Sequence, residues 1–150
     1  MVEIYVDADA CPVKDETVQV AARHSLKTYL VSDGGIRPPP NPLVELVIVD
    51  QGPDAADDWI ADHIQKADIC VTNDIPLAAR CLERGAMTIR PNGEPFTENG
   101  IGMALANREL MQGLRESGEI TGGPKPFRKS DRSEFLNRLE TTVQEAKRVK

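Results

Sequence analysis

Asp7 and Asp9 stand two residues apart in YVDADACPVK, where an apolar run gives way to a helix start. Asp57 and Asp58 stand side by side in GPDAADDWI, three residues after Asp54, and Asp74 closes VTND. Carboxylates in such numbers can bind a hard divalent cation through oxygen or exchange protons as acids and bases. Two like charges about 4 Å apart repel by roughly 1 kcal/mol in water and about 4 kcal/mol at an effective dielectric of 20. A cluster of them therefore requires a cation, or protonation of some members. The only histidines are His24 and His63, and there is no Cys-x-x-Cys pair, so a zinc site is not expected. Oxygen donors alone select Mg²⁺ or Mn²⁺. An ion held that way activates water and stabilises the charge that develops on a phosphodiester.

Such residues act together only if the fold gathers them. Short apolar runs predict strands over 2–6, 26–32, 43–49, 68–72 and 86–89. Pro12 suits the first turn of a helix reaching about 24, and Asp54 is a natural N-cap for one reaching about 65. Pro76 starts a third, to about 84, with Gly85 at its C-cap. Two more are predicted over 101–116, with Ile101, Leu105, Met111 and Leu114 on one side, and over about 131–148, with Phe135, Leu139 and Val143 as its stripe. Arg37 to Pro42, RPPPNP, can be neither helix nor central strand. The alternation predicts an α/β fold of three layers, α/β/α, around a central, mainly parallel five-stranded sheet.

Function in such sheets gathers outside the carboxyl ends of the strands, and right-handed crossovers bring those ends to one edge. Asp7 and Asp9 follow the first strand, Asp54, Asp57 and Asp58 open the helix after the third, and Asp74 follows the fourth. On that helix Ala56, Trp59, Ile60, His63 and Ile64 form an apolar face, and Asp57 lies at its border. Asp57 is thus best placed to look into the edge, while Asp58 would act through water. Any one of these aspartates serves equally as a turn or cap residue; it is their arrival on three separate crossovers that points to a site.

The 150 residues suit one domain, 1–150, with a basic Gly/Pro loop and helix from about 117 onward as an appendage. Aromatics make up only 4%, so the core must rest on Val, Ile, Leu and Ala. Three cysteines, an odd number, argue for reduced thiols and a cytoplasmic setting. Cys11 reads as structural, since Asp7 and Asp9 disfavour a thiolate beside them; Cys70 and Cys81 fall in apolar patterns and read as buried. The N-terminus lacks the pattern of a signal peptide, and no apolar run approaches the roughly 18 residues needed to span a bilayer.

Residues 1–114 hold 9 Lys and Arg against 18 Asp and Glu, whereas residues 115–150 hold 9 against 6. Lys125, Arg128, Lys129 and Arg132 surround Phe127, a pattern that suits single-stranded nucleic acid through phosphate contact and stacking. The same residues also read as a solvated loop with Phe127 tucked into the core. Lys14 lies near Asp9 and is a candidate supporting cation, with Arg37, Arg80 and Arg84 as further ones.

The stretches VDADACPVKDE (6–16), GPDAADDWI (52–60), VTNDIPLA (71–78) and RESGEITGGPKPFRKSDRSEF (115–135) resemble the bacterial YaiI/YqxD family. The resemblance covers nearly the whole chain and implies a PIN-like fold. An Asp-Asp pair opening a helix, followed by Thr-Asn-Asp after the next strand, is similar to NYN-type ribonucleases. The resemblance implies a metal-dependent nuclease acting on RNA. It makes Asp7, Asp57 and Asp74 catalytic and assigns the metal to Asp7, Asp57, Asp58 and Asp74, with Thr72, Asn73 and Asp9 in support.

Two other readings stay open. Asp7-x-Asp9 after a first strand fits the nucleophile and acid of a haloacid dehalogenase-like phosphatase, although residue 11 is Cys rather than Thr or Val and no late Gly-Asp-x-x-x-Asp motif follows. A non-catalytic RNA- or metal-binding protein is the third. The stripe of the last helix could pack on its own sheet or on a second subunit, as in a homodimer.

Overall fold

The computed structural model describes residues 1–9, 11–52, 54–116 and 126–150. Five parallel strands, β1 (Glu3–Asp7), β2 (Lys27–Ser32), β3 (Val44–Ile48), β4 (Ile69–Val71) and β5 (Met87–Ile89), form one sheet in the order β3-β2-β1-β4-β5. The strands read as near-continuous apolar runs because both faces of a parallel sheet are covered. Alternate residues go to opposite faces: Ile4 and Val6 join one core cluster, and Tyr5 between them joins the other.

Helices α1 (Lys14–Arg23) and α5 (Lys129–Val149) cover the first face, and α2 (Ala55–His63) and α3 (Ile75–Glu83) cover the second. This is the three-layer α/β/α arrangement expected. The reversal of strand order falls between β1 and β4, the switch point where open sheets leave a crevice.

Between β2 and β3 there is no helix, so strand and helix do not alternate at every step. The proline-rich segment makes that connection, and Ile36 packs against the first core in place of a helix. Proline fixes the backbone away from a helix interior but leaves an extended path that returns the chain in parallel. Pro12 lies in a turn ahead of α1, which starts at Lys14. The residue before a proline avoids the helical region, and the chain spends these positions turning away from β1. Gly85 follows the C-cap residue Arg84 of α3 with φ of 81°, a left-handed value that glycine adopts without steric cost.

α4 (Glu98–Glu116) begins three residues earlier than expected, because Thr97 Oγ1 accepts the Gly100 amide at 3.0 Å. It packs mainly on α3, with Ile101 and Leu105 half-buried and Met111 exposed. Met111 and Leu114 lie about 80° and 140° around the helix from Ile101, so the four residues do not share a face.

The last helix is part of the main core. Phe135, Leu139, Val143 and Ala146 of α5 are fully buried against α1 and the sheet. The stripe is thus used within its own chain. Each large side chain so buried contributes roughly 1.5–3 kcal/mol relative to exposure. Among the described residues no helix is long and apolar enough to cross a membrane.

Candidate functional site

Asp7 is the last residue of β1, and Thr72 to Asp74 follow β4, its neighbour across the switch point. Thr72 joins them. Its Oγ1 donates to Asp7 Oδ2 at 3.0 Å and accepts the Asp74 amide at 2.9 Å. Asp74 in turn caps α3, its Oδ1 accepting the Leu77 amide at 2.8 Å. The cap and the turn hold both carboxylates in place at the sheet edge.

Asp7, Thr72, Asn73 and Asp74 line a cleft of about 370 Å³. Cys11, Ile75, Pro91 and Arg108 complete its wall. Asp57 is half-buried near this cleft but is not on its wall. Burial pushes its carboxyl up to about 7, and the charges of Asp74, Asp7 and Asp54 add to that. Asp7 is raised as well, first by burial; the Thr72 hydrogen bond opposes the rise, and Asp74 and Asp9 add to it. Three acids from β1, the β4–α3 turn and α2 therefore act on one another through their charge, and Arg80 offsets part of it at Asp57.

The other expected site residues are placed differently. Asp58 points away and pairs with Arg80 at 2.8 Å, an exposed ion pair worth about 0–1 kcal/mol. Asp9 accepts from Ser32 Oγ and from the Asp33 amide, so it ties the end of β1 to the end of β2. Lys14 Nζ donates to the Ala8 carbonyl at 3.2 Å and braces the same turn. Asp54 sits at the N-cap of α2 without a side-chain cap bond. Asn73 is exposed on the cleft rim.

Arg132 pairs with Glu16, donates to the Pro12 carbonyl at 3.0 Å and lies over the Phe127 ring at 5.1 Å. Phe127 is half-buried against the first core. Both therefore help lock α5 onto α1. Arg128 and Lys129 are exposed at the start of α5, and Lys125 lies outside the described residues. Cys11 is buried, which pushes its thiol up to about 11, and Cys70 and Cys81 are buried free thiols. His63 is exposed and stacks on Trp59 at 3.9 Å, with its Nδ1 2.7 Å from the Trp59 carbonyl.

Arg108 was not among the candidates read from sequence. A signal existed: it lies three residues after Leu105 and seven after Ile101, on the side of α4 that meets α3.

Among the described residues, no three of His, Cys, Asp or Glu stand close enough to cage one ion. Magnesium does not require such a cage, since it keeps several waters and takes one or two carboxylates. Asp7 and Asp74 border the cleft, and each spends one oxygen on an internal hydrogen bond and has a second. An all-oxygen set of this kind fits a hydrated hard cation and not a soft one.

A model of the family described as uncharacterized BCR, YaiI/YqxD family, matches residues 5–145. A UPF0178 protein of Paramagnetospirillum magneticum is 56% identical over 149 residues, 99% of each chain. One from Parvibaculum lavamentivorans is 58% identical over 148 residues, 99% of this chain and 97% of its own. One from a Bradyrhizobium species is 54% identical over 147 residues, 98% of this chain and 90% of its own. No solved structure matches the chain.

Proposed function

The chain belongs to the YaiI/YqxD family, and on that premise we propose that it is a metal-dependent nuclease of PIN-like type that hydrolyses phosphodiesters in RNA. One observation carries the reading: Asp7, Asp57 and Asp74 arrive on three different crossovers and feel one another at the switch point beside an open cleft. Burial first, and then the neighbouring charges, raise Asp7 and Asp57, and groups so perturbed concentrate at functional sites.

In this reading Asp7 and Asp74 hold Mg²⁺ or Mn²⁺, with Asp57 in support and Asp58 given to Arg80. When bound, such an ion polarises a phosphate oxygen and lowers the pKa of a water. Thr72 orients Asp7 through its hydroxyl. Asn73 presents its amide at the rim, where it can donate to a substrate oxygen.

The phosphatase reading is the weaker one. A general acid must reach the leaving group, and Asp9 is held by Ser32 and Asp33 and does not line the cleft.

The test is calorimetric titration with Mn²⁺ of the wild type and of the Asp7→Asn/Asp74→Asn variant, paired with cleavage of labelled RNA in Mn²⁺ and in EDTA. Micromolar binding and cleavage, both lost in the variant, are expected. Binding without cleavage favours a non-catalytic metal-binding protein. A folded wild type that neither binds nor cleaves overturns the proposal.

A further inference from the structure

The acids create a difficulty for any polyanionic substrate. A phosphate brought to Asp7 and Asp74 meets their negative charge in a body that carries twice as many acids as bases over residues 1–114. A bound metal ion offsets part of that charge, and a cation of the chain facing the same space would add to it. Arg37 and Arg84 do not line the cleft, and several other cations are occupied. Arg80 is paired with Asp58, Arg90 is paired with Glu94 and lies over the Phe96 ring, and Arg132 is held by Glu16 and Pro12. Lys14 is bonded to the Ala8 carbonyl.

Arg108 differs from all of these. It lines the cleft together with Asp7, Thr72 and Asp74, and it has no partner among the described residues. Its direction follows from the packing of α4. At about 100° per residue, Arg108 lies within roughly 60° of both Ile101 and Leu105 around the helix. Those two are half-buried while Arg108 is exposed on the cleft wall, so Arg108 stands at the edge of the buried side of α4, the helix that packs mainly on α3. A guanidinium is always charged and presents a planar fork that matches two phosphate oxygens.

We propose that Arg108 is the phosphate-holding residue of this cleft, which takes one nucleotide of a single-stranded RNA between α4 and the acidic edge of the sheet. The inference rests on the nuclease reading above. The size limits the ligand, because about 370 Å³ falls at the small end of the roughly 300–1,000 Å³ typical of small-ligand pockets. Such a space suits one nucleotide unit and not a duplex.

The test uses fluorescence anisotropy of a labelled uridine octaribonucleotide in Ca²⁺ buffer, with the wild type, Arg108→Ala, Arg108→Lys and Lys66→Ala. Lys66 is exposed near the amino end of β4, at the opposite edge, and measures the general effect of losing one charge. We expect Arg108→Ala to weaken binding about tenfold or more, as for loss of a charge-assisted hydrogen bond. Arg108→Lys restores part of it, and Lys66→Ala stays within about twofold. Arg108→Ala also lowers the slope of log affinity against log salt by about one. Its Mn²⁺ affinity by calorimetry is no weaker than that of the wild type, since the change removes a positive charge from the cleft.

Equal, small effects of Arg108→Ala and Lys66→Ala overturn the proposal, as does a duplex that binds as tightly as the single strand. If the wild type binds Mn²⁺ but no RNA, this inference falls while the metal part of the nuclease reading stands. If the wild type binds neither, both fall.

Discussion

Thr72 Oγ1 donates to Asp7 Oδ2 at 3.0 Å and so links the ends of two adjacent strands through one side chain. The same oxygen accepts the Asp74 amide, so a single hydroxyl organises two carboxylates. Thr72→Val removes both bonds while keeping the volume. Urea unfolding should show a loss of about 1–2 kcal/mol. Mn²⁺ affinity should fall about tenfold or more, as is usual when a ligand loses its orienting partner. Thr72→Ser should keep most of both. Unchanged Mn²⁺ binding in Thr72→Val would mean that the hydroxyl is only structural.

Asp57 sets a pH dependence in metal-free protein. Its carboxyl is raised from 3.8 to about 7 in the folded chain, mainly by burial. Between those values the unfolded chain has released the proton that the folded chain keeps. The folded state then binds more protons, so stability falls as pH rises from about 4 to about 7 and is level above. Asp57→Asn removes this contribution and should be more stable than the wild type at pH 8 in EDTA. Solvent reaches the half-buried group, so the gain is on the order of 1 kcal/mol. Urea midpoints at pH 5 and pH 8 for both proteins check it; parallel pH profiles would refute it.

Glu16 and Arg132 pair across α1 and α5, and the second Glu16 oxygen is buried without a hydrogen-bond partner. Arg132→Ala leaves that carboxylate uncompensated and should cost about 1–3 kcal/mol. Glu16→Gln added to Arg132→Ala should recover part of the loss. RNA anisotropy should change no more than for Lys66→Ala. A large loss of RNA binding with stability intact would instead place Arg132 in a nucleic-acid surface.

Leu139 is fully buried in the α5 stripe. Leu139→Ala should cost about 2–5 kcal/mol. A chain ending before Lys129 should fail to fold cooperatively, since α1 and the sheet would lose the cover of α5. Cooperative urea unfolding of that shortened chain with unchanged midpoint would make the C-terminal helix dispensable.

Much of the fold was readable locally. Short apolar runs marked the five strands, and Pro12, Asp54 and Pro76 lay within a few residues of true helix starts. The stripe Phe135, Leu139 and Val143 marked a buried helix face, because helical spacing alone puts such residues on one side. Asp7 and Asp74 were legible as strand-end acids for the same reason: position relative to a strand is a local property.

Only tertiary structure decided who meets whom. The order β3-β2-β1-β4-β5 sets Asp7 beside Thr72, and no local period encodes the order of parallel strands. It also turned Asp58 to Arg80, gave Asp9 to Ser32 and aimed Arg108 into the cleft. Long or charged side chains choose partners from elements distant in the chain, and that choice follows from how helices dock on the sheet. The sequence alone thus determined which residues stand at strand and helix ends, and packing determined which of them share a site.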